Sequence, residues 1–190
     1  MGLWLIQECR RIWAREGDEL TYDQLTQMAA AAPGFRAVIE PDDPGFLAPD
    51  HMPGAIQSYC HRTGQTVPET KGEIVRTALE GLALKYRWVY EKLQLLLGEK
   101  FEAIHVVGGG SKNLLLCQFT ADALQLPVIA GPVEATALGN IAVQAVGTGH
   151  LSSLEEARML IRRDADVTTY EAGSGSGWDE AYVRFEKLSG

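Results

Sequence analysis

Three consecutive glycines stand between an apolar segment and a helical one, in the stretch "HVVGGGSKN" from His105 to Asn113. Consecutive glycines loosen the backbone and contribute no packing. Their presence therefore indicates that main chain without side chains has a structural or binding role at this point. The flanking segments predict a repeating unit: "FEAIHVV" a buried strand, "SKNLLLCQFTADAL" a helix, "LPVIAG" a second buried strand, and "EATALGNIAVQAV" a helix of small residues. This order predicts an α/β fold with parallel strands.

The glycines follow the first strand of this unit, at the end where parallel sheets bind ligands. Without Cβ atoms, the backbone at Gly109 and Gly110 could lie against a planar or phosphorylated ligand, while the N–H groups of the helix start act as donors. The alternative is a tight turn with Ser111 as the helix cap and a positive φ at Gly109. Two common nucleotide motifs fit poorly, because "GGGSKN" is not GxGxxG and the GxxxxGK frame is missing.

The remaining chain predicts one domain over residues 1–190. Helices are expected near 3–16, 21–31, 53–63 and 69–97, the last ended by Gly98. The segment between the second and third helices is dense in Pro, Gly and Asp and predicts an ordered loop with a short strand at Ala37–Glu40. The Gly/Ser run 172–177 resembles a linker to a terminal helix at 178–188. Because no capping residue precedes the first helix, the sequence is expected to be a fragment of a longer protein.

Composition excludes several classes of function. A formal net charge of −8 argues against a surface that collects nucleic acid or anionic lipid. The three cysteines lie far apart without CxxC pairing, which favours reduced thiols over a disulfide framework or a structural metal. The apolar runs are too short to span a membrane and the amino terminus does not resemble a secretory leader, so a cytoplasmic protein is expected.

Other conspicuous residues favour structural interpretations. His105 has apolar neighbours and is expected to be a hydrogen-bonded core histidine, whereas His51 and His61 are expected to be exposed. Glu134 lies in a first helical turn, where the helix dipole favours a carboxylate. Gly139 and the alanines around it are expected to let helices pack closely.

Three segments together carry a resemblance to a known family: "GEIVRTALEGLALKYRWVYEKL", "IHVVGGGSKNLLLCQFTADAL" and "LPVIAGPVEATALGNIAVQAVG". They resemble the C-terminal domain of the FGGY carbohydrate kinases, and within that family the kinases that act on L-rhamnulose. The segments "MGLWLIQECRRIW" and "AYVRFEKL" extend the resemblance to nearly the whole chain. The resemblance implies the C-terminal half of an actin-like, ribonuclease-H-like ATPase fold without its first strands.

The same resemblance implies how a nucleotide would be held. In the family this half binds most of the ATP, and the N-terminal half binds most of the sugar. Gly109 and Gly110 would let the nucleotide approach the main chain, Asn113 would meet the adenine edge, and Gln7 would lie near ATP. The alternatives are that Asn113 bonds its own backbone and that Gln7 is a solvated helix side chain.

The implied reaction transfers the γ-phosphate of ATP, with Mg²⁺, to L-rhamnulose and gives rhamnulose 1-phosphate. Its catalytic residues belong to the N-terminal half, so no catalytic or metal-binding residue is assigned here, and this chain alone is expected to be inactive. A kinase of another sugar and a non-catalytic nucleotide-binding or assembly module stay open as alternatives. Uncovered strand edges could also mediate self-association.

Overall fold

The computed structural model of the chain describes residues 2–174 and 177–189. Its helices and strands, in chain order, are α1 Trp4–Arg15, α2 Tyr22–Ala31, α3 Met52–Arg62, α4 Lys71–Leu97, β1 Ile104–Val106, α5 Leu114–Leu124, β2 Val128–Ala130, α6 Ala135–Gly147, α7 Leu154–Asp164, β3 Thr168–Tyr170 and α8 Trp178–Leu188. Short 3₁₀ helices lie at Pro44–Phe46 and Gly108–Lys112. The predicted helices are confirmed to within a few residues at their ends.

The long helix α4 has signals at both ends that the sequence displays. Thr70 and Glu73 form a reciprocal capping box, in which each side chain accepts a hydrogen bond from the backbone N–H of the other. Gly98 ends the helix in the left-handed conformation at φ 71°, as its position predicted. α4 is one 27-residue helix, and α1, α2, α3, α5 and α8 pack along it.

The main hydrophobic core is helical. α2 and α5 pack extensively against α4, and α8 returns to the same core from the carboxyl end of the chain. Its fully buried side chains come from α1, α2, the segment 37–40, the 3₁₀ helix Pro44–Phe46, α3, α4 and α8, and include Leu5, Leu25, Phe46, Leu79 and Phe185. This packed helical body supports the sheet from one side.

The sheet has the order β1-β2-β3. β1 and β2 are parallel, with His105 opposite Ile129, and β3 is antiparallel to β2. A small second core lies beneath it, formed by the buried residues Cys117, Ala121, Val128 and Ala130. Because β1 and β2 are parallel, the loops that follow them meet at one edge of the sheet.

The strand predicted at Ala37–Glu40 is absent, although these four residues are buried. Side chains replace the strand partner: Val38 N donates to Gln65 Oε1 at 2.8 Å, and Gln65 Nε2 donates to Val38 O at 2.8 Å. Glu40 N donates to the Tyr59 hydroxyl oxygen at 3.1 Å. The run is therefore buried without a strand ladder, because side chains bond the backbone N–H and C=O of Val38 and the N–H of Glu40.

Three other expectations are wrong. β1 is only three residues long, and His105 within it is exposed rather than buried, because it borders an open cavity beside α4. α6 has no buried residue, and a Cβ at Gly139 would meet nothing within 4 Å, so Gly139 does not serve close helix packing among the described residues, although α6 contacts α7. His51 and His61 are exposed, as expected.

The carboxyl-terminal part contains two elements that the sequence interpretation missed, α7 and β3. The sequence of α7 contains typical signals of a helix start and a helix end. Ser153 caps its amino terminus by accepting from Glu156 N at 3.2 Å, and two arginines lie in its last turn. Of the linker-like run 172–177, residues 172–174 form neither helix nor strand, and 175 and 176 lie outside the described residues. The helix predicted at 178–188 is confirmed as α8.

Candidate functional site

The three glycines form a tight turn at the carboxyl end of β1. Gly108 N donates to Pro132 O at 3.0 Å, and Gly131 N donates to Val106 O at 2.8 Å, so the loops after β1 and β2 are bonded to each other. Ser111 is buried, and its hydroxyl donates to Gly108 O at 2.7 Å. Hydrogen bonds within the turn and to the loop after β2 therefore stabilise its conformation.

The glycines do not share one conformation. Gly108 has φ +77°, whereas Gly109 and Gly110 lie outside the left-handed region, so the positive φ expected at Gly109 occurs at Gly108 instead. A Cβ at Gly109 would meet nothing within 4 Å, and one at Gly110 would meet Val106 Cγ1 at 4.0 Å. Neither glycine is required by crowding within the described chain. Their outer side is open main chain that a ligand could contact.

Asn113 is the cap of α5, which corrects the alternative that gave this role to Ser111. Its Oδ1 accepts from Leu116 N at 2.9 Å, and its own backbone N donates to Gly110 O at 3.1 Å. The local-bonding interpretation of Asn113 is therefore correct for its oxygen. The amide nitrogen Nδ2 is left to donate to a ligand.

A cavity of about 560 Å³ lies beside Gly110. Its lining comes from α1, α4, the face of β1, the turn and α5, and consists of Leu3, Tyr86, Ile104, His105, Val106, Val107, Gly110, Leu116, Cys117 and Thr120. Burial raises the pKa of the Cys117 thiol. The pKa of the Tyr86 hydroxyl is raised mainly by burial and to a lesser extent by the nearby Cys117. Both groups stay neutral at pH 7, and five of the lining side chains are aliphatic, so this cavity is predominantly apolar.

Gln7 lies on the exposed surface of α1. It is one helical turn beyond Leu3, since Gln7 N donates to Leu3 O at 3.0 Å, and Leu3 lines the cavity beside Gly110. Gln7 itself lines a different cavity with Arg10, Arg11 and Arg15. Gly110 thus lines this cavity, Gly109 and Asn113 lie in the same turn but do not line it, and Gln7 lines a different one.

Within residues 2–174 and 177–189, no group of three or more His, Cys, Asp or Glu side chains could hold a metal ion. Nor does any helix there have the length and apolar character needed to cross a membrane.

Comparison with known proteins identifies the class to which this fold and turn belong. The chain is a member of the FGGY family of carbohydrate kinases, because the family's C-terminal domain matches residues 1–148. α7, β3 and α8 lie beyond the matched range. This confirms the family that the three sequence segments indicated.

Curated relatives point to one branch of the family. The chain is 44% identical to rhamnulokinase of Bacteroides thetaiotaomicron over 97% of its own length and 37% of that protein. It is 43% identical to rhamnulokinase of Enterococcus faecalis over 90% of its own length and 35% of that protein. The chain therefore spans little more than a third of the length of these relatives.

Solved structures confirm the predicted fold class. Xylulose kinase from Rhodospirillum rubrum matches 97% of this chain and 36% of its own, with a TM-score of 0.64 at 24% identity. Plasmodium falciparum glycerol kinase with ADP matches 93% of this chain and 35% of its own, with a TM-score of 0.65 at 18% identity. At these identities the likeness shows the fold alone: an α/β domain of the actin-like sugar kinases.

Proposed function

We propose that this chain is the ATP-binding part of a kinase that transfers the γ-phosphate of ATP to L-rhamnulose, giving rhamnulose 1-phosphate. The open main chain at Gly109, at the carboxyl end of β1, is the observation that carries the nucleotide site. The rhamnulokinase relatives at 43–44% identity support the sugar.

The chain's own residues would bind and orient the nucleotide. Gly109 and Gly110 would let a flat or charged group lie directly on the backbone, and Asn113 would donate from Nδ2 to the base. Gln7 would approach from α1 only if its side chain turned toward Leu3. ATP supplies the phosphoryl group, and Mg²⁺ is expected to neutralise its charge in the complete enzyme.

Binding is tested first, by titrating ADP into the chain with calorimetry and amide chemical shifts. We expect weak binding, with shift changes centred on Gly109, Gly110 and Asn113. A folded chain that shows neither heat nor shift changes at millimolar ADP would remove the nucleotide site.

Activity is tested separately, because the catalytic residues are assigned to the part of the relatives that this chain does not match. The chain with ATP, Mg²⁺ and L-rhamnulose should release no ADP above background in a coupled assay. Adding the N-terminal portion of the Bacteroides thetaiotaomicron enzyme should restore turnover. If the chain alone turns over substrate and Asn113→Asp abolishes that turnover, the assignment of catalysis to the unmatched portion is contradicted. If the two portions together show no turnover, a non-catalytic nucleotide-binding or assembly module is favoured.

The sugar is tested in the restored enzyme by comparing L-rhamnulose, D-xylulose and glycerol. We expect the highest kcat/KM for L-rhamnulose. A higher value for another substrate would leave the kinase assignment intact and replace the sugar.

The outer edge of β1 pairs with no other strand among the described residues. Free edges promote pairing with another chain, so we propose that the isolated chain self-associates there. Sedimentation over a range of concentrations, with and without the complementing portion, would test this. A monomer at all concentrations would contradict it.

A further inference from the structure

Gly131, in the loop after β2, lies between two neighbouring segments of the chain. Its backbone N donates to Val106 O at 2.8 Å, which bonds the loop to the end of β1, just before the glycine turn. On the other side, a Cβ at Gly131 would lie 2.4 Å from Asp166 O, a backbone atom that cannot rotate away as a side chain could. Gly131 also has φ +117°, which residues with a side chain rarely adopt. The contact with Asp166 therefore requires a glycine at this position.

Asp166 belongs to a segment that follows α7, residues 166–173, which we call the β3 strap. Its central part is β3, in which Thr168 lies opposite Ala130, the residue before Gly131. The whole strap lies after residue 148, beyond the range that the family's C-terminal domain matches. The β3 strap therefore pairs with β2 up to the loop that is bonded to the glycine turn.

The β3 strap also bonds to α5, the helix that follows the turn. Gly173 N donates to Asp122 Oδ1 at 2.8 Å, and Gln118 Nε2 donates to Glu171 O at 2.9 Å. Gln118 Nε2 also donates to Asp122 Oδ1 at 2.8 Å, so the two side chains form one hydrogen-bonded group with the strap. The strap thus contacts both the loop that is bonded to the turn and the helix that begins after it.

Two hydrogen bonds connect the position of Gly131 to that of the turn. Gly131 N is bonded to Val106 O, and Gly108 N donates to Pro132 O at 3.0 Å. A displacement of Gly131 would therefore move the partners of the residues at the start of the turn. Because the strap limits where Gly131 can lie, it also limits where the turn can lie.

From these contacts we infer that the β3 strap positions the Gly108–Asn113 turn for the nucleotide, through Gly131 on one side and Asp122 on the other. The inference rests on the proposed nucleotide site, and it assigns neither Gly131 nor Asp122 a contact with the ligand. A loosely held site loses affinity, because it must be ordered when the ligand binds. Loosening the strap should therefore weaken ADP binding in a chain that is still folded.

The first test compares Asp122→Ala with Asp122→Asn. Alanine removes the acceptor for Gly173 N and Gln118 Nε2, whereas asparagine keeps an oxygen for both. We expect Asp122→Ala to raise the Kd for ADP about fivefold and to shift the amide resonances of Gly108–Asn113 without ligand. Asp122→Asn should stay within about twofold of the wild-type Kd. These changes are expected from the ordering cost of a loosened site. Equal affinity of all three folded proteins, or an equal loss in both variants, would overturn the inference.

The second test compares Gly131→Ala with Gly149→Ala. Gly149 has φ +76°, and a Cβ there would meet nothing within 4 Å, so this control has a strained backbone without the contact with Asp166. With affinity measured on protein shown to be folded by circular dichroism, we expect Gly131→Ala to weaken ADP binding about tenfold and Gly149→Ala to change it less than about twofold.

The outcomes separate this inference from the proposed function. Unchanged ADP affinity in folded Gly131→Ala would overturn the inference and leave the proposed function standing. A folded wild-type chain that does not bind ADP would overturn both. If Gly131→Ala does not fold, the two Asp122 variants decide the inference.

Discussion

The paired substitutions Gly108→Val and Gly109→Val separate the two roles that a glycine turn can have. Gly108 has φ +77°, a conformation that β-branched residues rarely adopt. Gly109 lies outside that region, and a Cβ there would meet nothing within 4 Å. The first position should therefore govern folding and the second ligand contact.

The magnitudes follow from these two environments. A Cβ at Gly108 would lie 3.9 Å from Val133 O, an ordinary contact, so the cost is conformational and about 2 kcal/mol of unfolding free energy. Gly109→Val should change the unfolding free energy by less than about 0.5 kcal/mol. Its branched side chain would occupy the space proposed for the nucleotide, and we expect at least a tenfold weaker ADP affinity, equivalent to about 1.4 kcal/mol.

Urea unfolding followed by circular dichroism measures stability, and calorimetry on the folded variants measures affinity. In the complemented enzyme, Gly109→Val should raise the Kd for ATP far more than that for the sugar. If Gly109→Val is as stable as the wild type and binds ADP with unchanged affinity, the glycines form a turn and nothing more, and the proposed site is refuted.

Three further predictions concern the helical body. Phe185→Ala should lower the unfolding free energy by about 3–5 kcal/mol in urea titration, because Phe185 is fully buried in the main core. Backbone N–H groups at the start of α4 lower the pKa of Glu73, so the Glu73 carboxylate should stabilise the fold fully above pH 4.5 and lose this effect as the pH falls through its folded pKa. Glu73→Gln should flatten the dependence of the thermal unfolding midpoint on pH in this range. Burial raises the pKa of Cys9 to about 12 and that of Cys60 to about 11, and Cys117 is buried too, so a thiol reagent at pH 8 should label no cysteine in the native chain and three after denaturation.

Helix boundaries were predictable because their determinants are local. Thr70 and Glu73 are three residues apart, and Gly98 follows the last apolar residue of α4, so both ends of the helix could be located without knowledge of its partners. The same holds for the strand–glycine–helix unit, whose segments are contiguous in the chain. Asn113 was identified as a candidate, but its role as the cap of α5 required the geometry of the turn.

The wrong expectations about burial and strand pairing depended on residues distant in sequence. The apolar pattern around Val38 predicts a strand. Only the fold shows that the side-chain amide of Gln65 makes the hydrogen bonds that a neighbouring strand would make. His105 has apolar neighbours along the chain, which indicates a buried strand only if both faces of β1 are covered. A pattern of side chains specifies which residues share a face and leaves open what lies against that face.

α4 shows this limit within a single helix. Leu79 and Leu82 are buried, but Tyr86, Val89 and Leu93, which continue the same apolar stripe, are 36–43% exposed. The exposed part lines a cavity of about 610 Å³ together with His105 and its β1 neighbour Ile104. One surface therefore accounts for both the exposed histidine and the exposed end of the stripe, because both face the same uncovered space. Since the rhamnulokinase relatives are more than two and a half times as long as this chain, we expect the cover for that space to come from the portion that the chain does not match.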